Sequence, residues 1–174
     1  NSKQKSGTRI EKYERLNYFD KDILNWSQGT NYASSLRKYF VETRLMFEPE
    51  IVYYCAKRID KKNKNELKII YDKLAKSVND EDSKNIISND LAFHKKIIIN
   101  CHNPVLFPLF DLIVHILEFN FNANSKELKN YISDWKKKYL PQHLILKNMI
   151  IKNQPIKARN QMVKIINEQK KRFL

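Results

Sequence analysis

Apolar positions recur at intervals of three and four along most of this chain, the spacing that places them on one face of an α-helix. From Ser34 or Ser35, a good pair of N-caps, this periodicity runs to Glu48. Pro49 then acts either as a kink or as the first turn of a next helix, which carries Ile51, Val52, Cys55 and Ala56. Leu67, Ile70, Leu74 and Val78 mark a helix over 65–78, and the cluster from Asn79 to Ser83 forms a loop and cap. A helix from about Ser83 to Cys101 follows. Asn103-Pro104 caps and opens an apolar helix to about Phe121, with Pro108 bending its start. After a break over 122–125, a helix runs from Lys126 towards Lys138; Pro141 separates it from, or kinks it into, a helix to Asn153. Gln154-Pro155 starts a last helix to about Arg172. Upstream, Asn17 to Trp26 is polar with spaced aromatics and reads as a short helix or turn ended near Gly29. The sum is an all-α fold, an antiparallel bundle of six to seven helices.

Composition narrows this picture. A length of 174 residues suits one compact domain with a real core, and two Gly and five Pro disfavour a turn-rich sandwich or barrel. No run of eighteen apolar residues and no apolar signal region is present, so no membrane association is expected. Cys55 and Cys101 lie in apolar helical patterns without CxxC spacing, which fits buried free thiols and a reducing cytoplasm. The net charge of +14 invites a nucleic-acid reading. The charge is mostly Lys spread along every helix, however, with no Arg-rich stripe and no RNA-binding aromatic motif, so it does not mark this segment as a DNA-reading surface.

The chemistry concentrates at Asp90 and His94. At ~100° per residue, Ile87, Asp90, Leu91, His94, Ile98 and Cys101 share one face. An ionisable pair facing a core is costly unless compensated, and Asp and His at i and i+4 are what a helix offers a divalent metal or a small acidic ligand. His143 shares a face with Tyr139, Leu140, Leu146 and Ile150, so it too points inward, as a core histidine or as a third ligand. Asp111 and His115 repeat the i, i+4 spacing, but with Glu118 and Asn122 on a polar face; that pair reads as a solvated surface contact. His102 reads as a capping or surface residue. Asp90, His94 and His143 would leave open positions on Zn, Ni, Mn or Fe. Those positions could activate a water, which would make a small helical metallohydrolase, or bind a carboxylate. No Glu or Ser is spaced as an obvious base or nucleophile, which favours binding over catalysis. Arg44, flanked by Phe40 and Phe47, is either an edge residue paired with Glu48 or a neighbouring helix, or a guanidinium holding an acidic effector bidentately. Trp135 and Tyr139, one turn apart, read as core or rim.

The order of these features resembles the effector-binding (FCD) domain of the FadR branch of GntR-type bacterial transcription regulators. Five stretches carry the resemblance: Arg44 to Pro49 (Arg-x-x-hydrophobic-Glu-Pro), Asp90 to His94 (Asp-x-x-Phe-His), Asn103-Pro104-Val105-Leu106, His143, and Ala158 to Met162 (Ala-x-x-x-Met). Ser6 to Ile10 is similar to the end of a wing of a winged helix-turn-helix domain, and Phe19 to Trp26 to the linker of sugar-acid (galactonate)-responsive members. The resemblance implies a non-enzymic sensor: residues 1–10 the end of a largely missing DNA-binding domain, 11–33 a linker, and 34–174 an effector-binding and homodimerising domain. It further implies a small organic or sugar acid effector bound through Arg44, Asp90, His94 and His143, directly or through a metal. Operator DNA would be contacted by the N-terminal domain. One departure is visible: metal-binding members supply a last His three residues after the Met, where this chain has Ile165, leaving three protein ligands instead of four.

Overall fold

The computed structural model describes residues 15–18, 20–27, 30, 32–111, 113, 114 and 125–170, and every element among them is helical. A short helix α1 (Lys21–Ser27) precedes the long α2 (Tyr32–Arg58), then α3 (Lys61–Asn79) and α4 (Ser83–Asn100). A 3-10 turn at Pro104–Leu106 leads into helical residues 108–111, 113 and 114. The chain resumes with α5 (Ser125–Asp134), a π-helical turn (Trp135–Tyr139), α6 (Leu140–Ile151) and α7 (Pro155–Lys170). Helix α2 packs against α7, α4 and α6; α3 lies on α4 and α6; and α6 pairs with α7. Their shared interior, around Val52, Cys55, Leu67, Phe93, Ile97, Leu146, Ile150, Met162 and Ile165, forms the main core. The expected wing end at 1–10, the helix as far as Phe121, and His115 with its pairing to Asp111 lie outside the described residues.

The chain punctuates its helices with side-chain chemistry. Asp60 caps α3 by accepting from the Asn63 backbone N–H at 2.7 Å, and Asp82 caps α4 by accepting from that of Asn85 at 3.1 Å. Helix α6 closes in a Schellman motif: the N–H of Gln154 donates to the Met149 carbonyl (2.9 Å) and that of Asn153 to Ile150 (3.0 Å). Asn153 takes the left-handed φ of 52° that this motif needs, as His102 does at the end of α4. His102 is exposed there, as its place beside Asn103-Pro104 suggested.

Four expectations are corrected or sharpened. Helix α2 begins at Tyr32, so Ser34 and Ser35 are inside it rather than caps; Ala33 and Leu36 are buried with Phe40 and extend the apolar stripe backwards. Pro49 neither breaks nor restarts the helix, because it lies in the buried middle of a 27-residue element held on both sides. Pro141 likewise follows an uninterrupted path. The π-turn ahead of it widens the backbone where a proline ring would press on the preceding turn, and the Leu140 N–H reaches back to the Trp135 carbonyl. On α4 the buried face is centred on Ile86, Asp90, Phe93, His94 and Ile97, while Ile87 and Leu91 are only half-buried. The stripe is broader than predicted because α4 packs against both α2 and α3. Cys55 and Cys101 are free and buried; burial, then the neighbouring Cys101, pushes the Cys55 thiol up. No described helix is long and apolar enough to cross a membrane.

Candidate metal and acid-binding site

Helices α2, α4 and α6 bring charged and polar groups together inside the bundle. One turn of α4 presents Asp90 and His94, and α6 presents His143 from across the core. Their ligand atoms all lie within 4.8 Å of one another, and all three residues are buried. Asp90 Oδ1 lies 3.2 Å from His143 Nε2 and 3.7 Å from His94 Nε2. Two donors sharing a tetrahedral metal at 2.0–2.1 Å stand roughly 3.3 Å apart, so the spacing is of the right order for one ion.

The hydrogen-bond pattern sharpens this. His143 Nδ1 contacts the Tyr139 carbonyl at 2.7 Å. A carbonyl can only accept, so Nδ1 carries a proton, and this leaves Nε2 as the nitrogen that faces a carboxylate oxygen. Acceptor facing acceptor is unfavourable unless a cation or proton lies between them. Asp90 Oδ1, His94 Nε2 and His143 Nε2 are indeed all buried without a hydrogen-bond partner. Such groups are rare and costly in folded proteins. Burial pushes the Asp90 carboxyl up, but His94, His143 and Arg44 more than offset this and hold it below the ordinary carboxylate value. For His94, burial is the largest influence and holds the imidazole below its ordinary value despite Asp90 and Glu48. A carboxylate and two imidazoles within reach of one point are a donor set that suits a divalent cation, and the residues fit one.

The walls are aromatic. Phe93 lies edge-on to His143 with ring centroids 5.6 Å apart, and Trp135 lies tilted against it at 5.2 Å. Trp135 and Tyr139 are thus core residues, packed with Leu74, Val78 and Ile86. Ile165, at the position of the family's usual last histidine, is wholly buried in the main core.

Arg44 differs most from its expected place. It is 0 % exposed, an interior residue and not an edge one, in line with Phe40 and Glu48 on the buried face of α2. Its Nε donates to Glu48 Oε1, its Nη2 to Glu48 Oε2 at 3.1 Å, and its Nη1 to Gln169 Oε1 on α7. Burial works against the charge, but Glu48 foremost and then Asp90 hold the guanidinium above its ordinary value. Glu48 Oε2 also lies 3.6 Å from His94 Nδ1. The pairing of Arg44 with Glu48 was legible from their i, i+4 spacing; the participation of Gln169, and the approach of Glu48 to His94, were not.

Comparison with known proteins places this geometry. The family model described as the FCD domain matches residues 40–168. The galactonate operon transcriptional repressor of Escherichia coli (strain K12) is 25% identical over 104 residues, which are 60% of this chain and 44% of that protein. The chain therefore spans less than half the length of this curated relative. A solved structure of Streptococcus agalactiae GntR superposes with a TM-score of 0.67 at 22% identity, covering 98% of this chain and 73% of that one, a likeness of fold.

Proposed function

The chain belongs to the FCD domain family, and from that premise we propose that residues 34–174 are the ligand-sensing, dimerising domain of a transcription regulator. Its effector is a small carboxylate, with sugar acids the first candidates because a matched relative is a galactonate operon repressor. The observation that carries the reading is the trio of buried, mutually facing atoms Asp90 Oδ1, His94 Nε2 and His143 Nε2, none of which has a hydrogen-bond partner. These residues hold a divalent cation, one of Zn, Ni, Mn or Fe, whose open positions take the acid; Arg44 supplies the second anchor. Effector binding shifts the balance between dimer geometries, and so the spacing of two DNA-reading domains, provided the acid prefers one geometry.

A three-ligand hydrolase would use the same cluster. The carboxylate beside it, Glu48, is however bidentate on Arg44 instead of poised over a substrate, and the matched relative regulates transcription.

The test is a thermal-shift screen of the chain with Zn²⁺ or Ni²⁺, with and without chelator, against a panel of organic and sugar acids that includes galactonate and acetate. A ligand at a hundred times its Kd stabilises by about 2.7 kcal/mol, which is roughly 5–10 °C for a chain of this size. One class of acid should give such a saturable shift, and chelator should remove it. No response to any metal or acid contradicts the proposal.

A further inference from the structure

From the position of Glu48 between Arg44 and His94, we infer that this carboxylate is the positioning residue that couples acid binding to metal binding; the inference rests on the sensor reading above. Its two oxygens are taken by the Arg44 fork, and the same Oε2 lies 3.6 Å from His94 Nδ1, just beyond hydrogen-bond range. His94 Nε2 in turn faces Asp90 Oδ1. His143 shows what the second ring nitrogen is for, because its Nδ1–H is fixed by the Tyr139 carbonyl, and this directs Nε2 into the cluster. For His94, Glu48 Oε2 stands 3.6 Å from Nδ1 and is the group placed to take that role.

The consequence follows from charge and burial. Glu48 is 2 % exposed and Arg44 0 %, so neither charge can turn to water when a partner is lost. An incoming carboxylate that takes the Arg44 fork leaves the guanidinium paired but displaces Glu48. His94 Nδ1 lies 3.6 Å from the Glu48 carboxylate and, when it carries the ring proton, is a donor to which that carboxylate can turn. Closing that bond orients the ring and makes Nε2 a better ligand, the usual effect of a carboxylate behind a metal-bound histidine. Acid and metal therefore bind cooperatively, and by linkage each tightens the other by the same factor. Gln169 keeps its hold on Arg44 Nη1 and anchors the guanidinium to α7 while its other face changes partner.

The experiment measures Ni²⁺ affinity with and without acetate, in the full chain and in the double variant Arg44→Met/Glu48→Met, by calorimetry and by quenching of Trp135, which packs against His143. Exchanging a buried ion pair for apolar side chains of similar size commonly leaves a fold intact; Glu48→Gln, neutral and isosteric, is the second variant should the first fail to fold. The full chain should bind Ni²⁺ at least about fivefold tighter in saturating acetate, within the usual range of coupling factors. In saturating acetate the variant should bind Ni²⁺ at least about fivefold more weakly than the full chain, with the acetate effect reduced to what direct coordination of acetate to Ni²⁺ leaves. Equal coupling factors in the two proteins, or no acetate effect in the full chain, overturn the role of Glu48 while leaving the metal site standing. Failure of the full chain to bind Ni²⁺ at all removes the sensor reading itself, and this inference with it.

Discussion

Arg44 shows how much one side chain depends on its neighbours. Buried and paired with Glu48 and Gln169, it costs little as a charge, but removing it alone strands a carboxylate in the core. Arg44→Met should therefore destabilise the chain by about 3–5 kcal/mol, while Arg44→Met/Glu48→Met should recover most of that loss. Urea unfolding of both proteins checks this, and equal destabilisation would show that the pair is not energetically a unit. At this scale the sequence was partly legible. Asp90, His94 and His143 could be read because an ionisable residue at helical spacing within an apolar stripe has few explanations. Arg44 with Glu48 could be read as a pair at the edge of the apolar face because opposite charges at i, i+4 border many helix stripes. The sign that they are internal was the company they keep: Phe40, Ile51, Val52 and Cys55 continue the same face. Gln169 carried no signal, since its role depends on where α7 crosses α2.

The elements were mostly recoverable from caps and periodicity, and their ends obey simple chemistry. Asp60 caps α3, and the hydrogen bond from the Asn63 backbone is the first cause that holds its carboxyl below the ordinary value. A depressed folded-state pKa means that its contribution is complete above the ordinary Asp value near 3.9 and is lost as pH falls through the lower folded value. Asn caps about as well but does not titrate. Asp60→Asn should thus match the parent's Tm at pH 7 and lose stability less steeply below about pH 4; identical acid limbs would contradict the assignment. Prolines were the hard part. Local rules allow Pro49 and Pro141 to kink or to break, and only tertiary packing, together with the π-turn before Pro141, decides that the chain runs on through both. The shifted buried face of α4 has the same origin: a helix sandwiched between two neighbours buries more than one stripe.

For the molecule as a whole, the all-α class was the safest reading, because two glycines in 174 residues leave few tight turns to build a sheet protein. The net charge of +14 was the feature most open to misreading. It is the excess of 33 Lys and Arg over 19 Asp and Glu, and it is spread along the helices instead of gathered in one Arg-rich stripe. This chain should accordingly bind mixed-sequence DNA weakly at physiological salt; tight binding with a steep salt dependence would instead favour a charge-driven nucleic-acid protein.

Everything proposed for this domain depends on a single cation being held where α4 meets α6. Calorimetric titration of the metal-stripped chain with Zn²⁺ measures that directly. The account predicts one saturable equivalent that chelator reverses, lost in His143→Ala and in His94→Ala while both variants remain helical. Absence of saturable uptake, or uptake unchanged by either substitution, would contradict it.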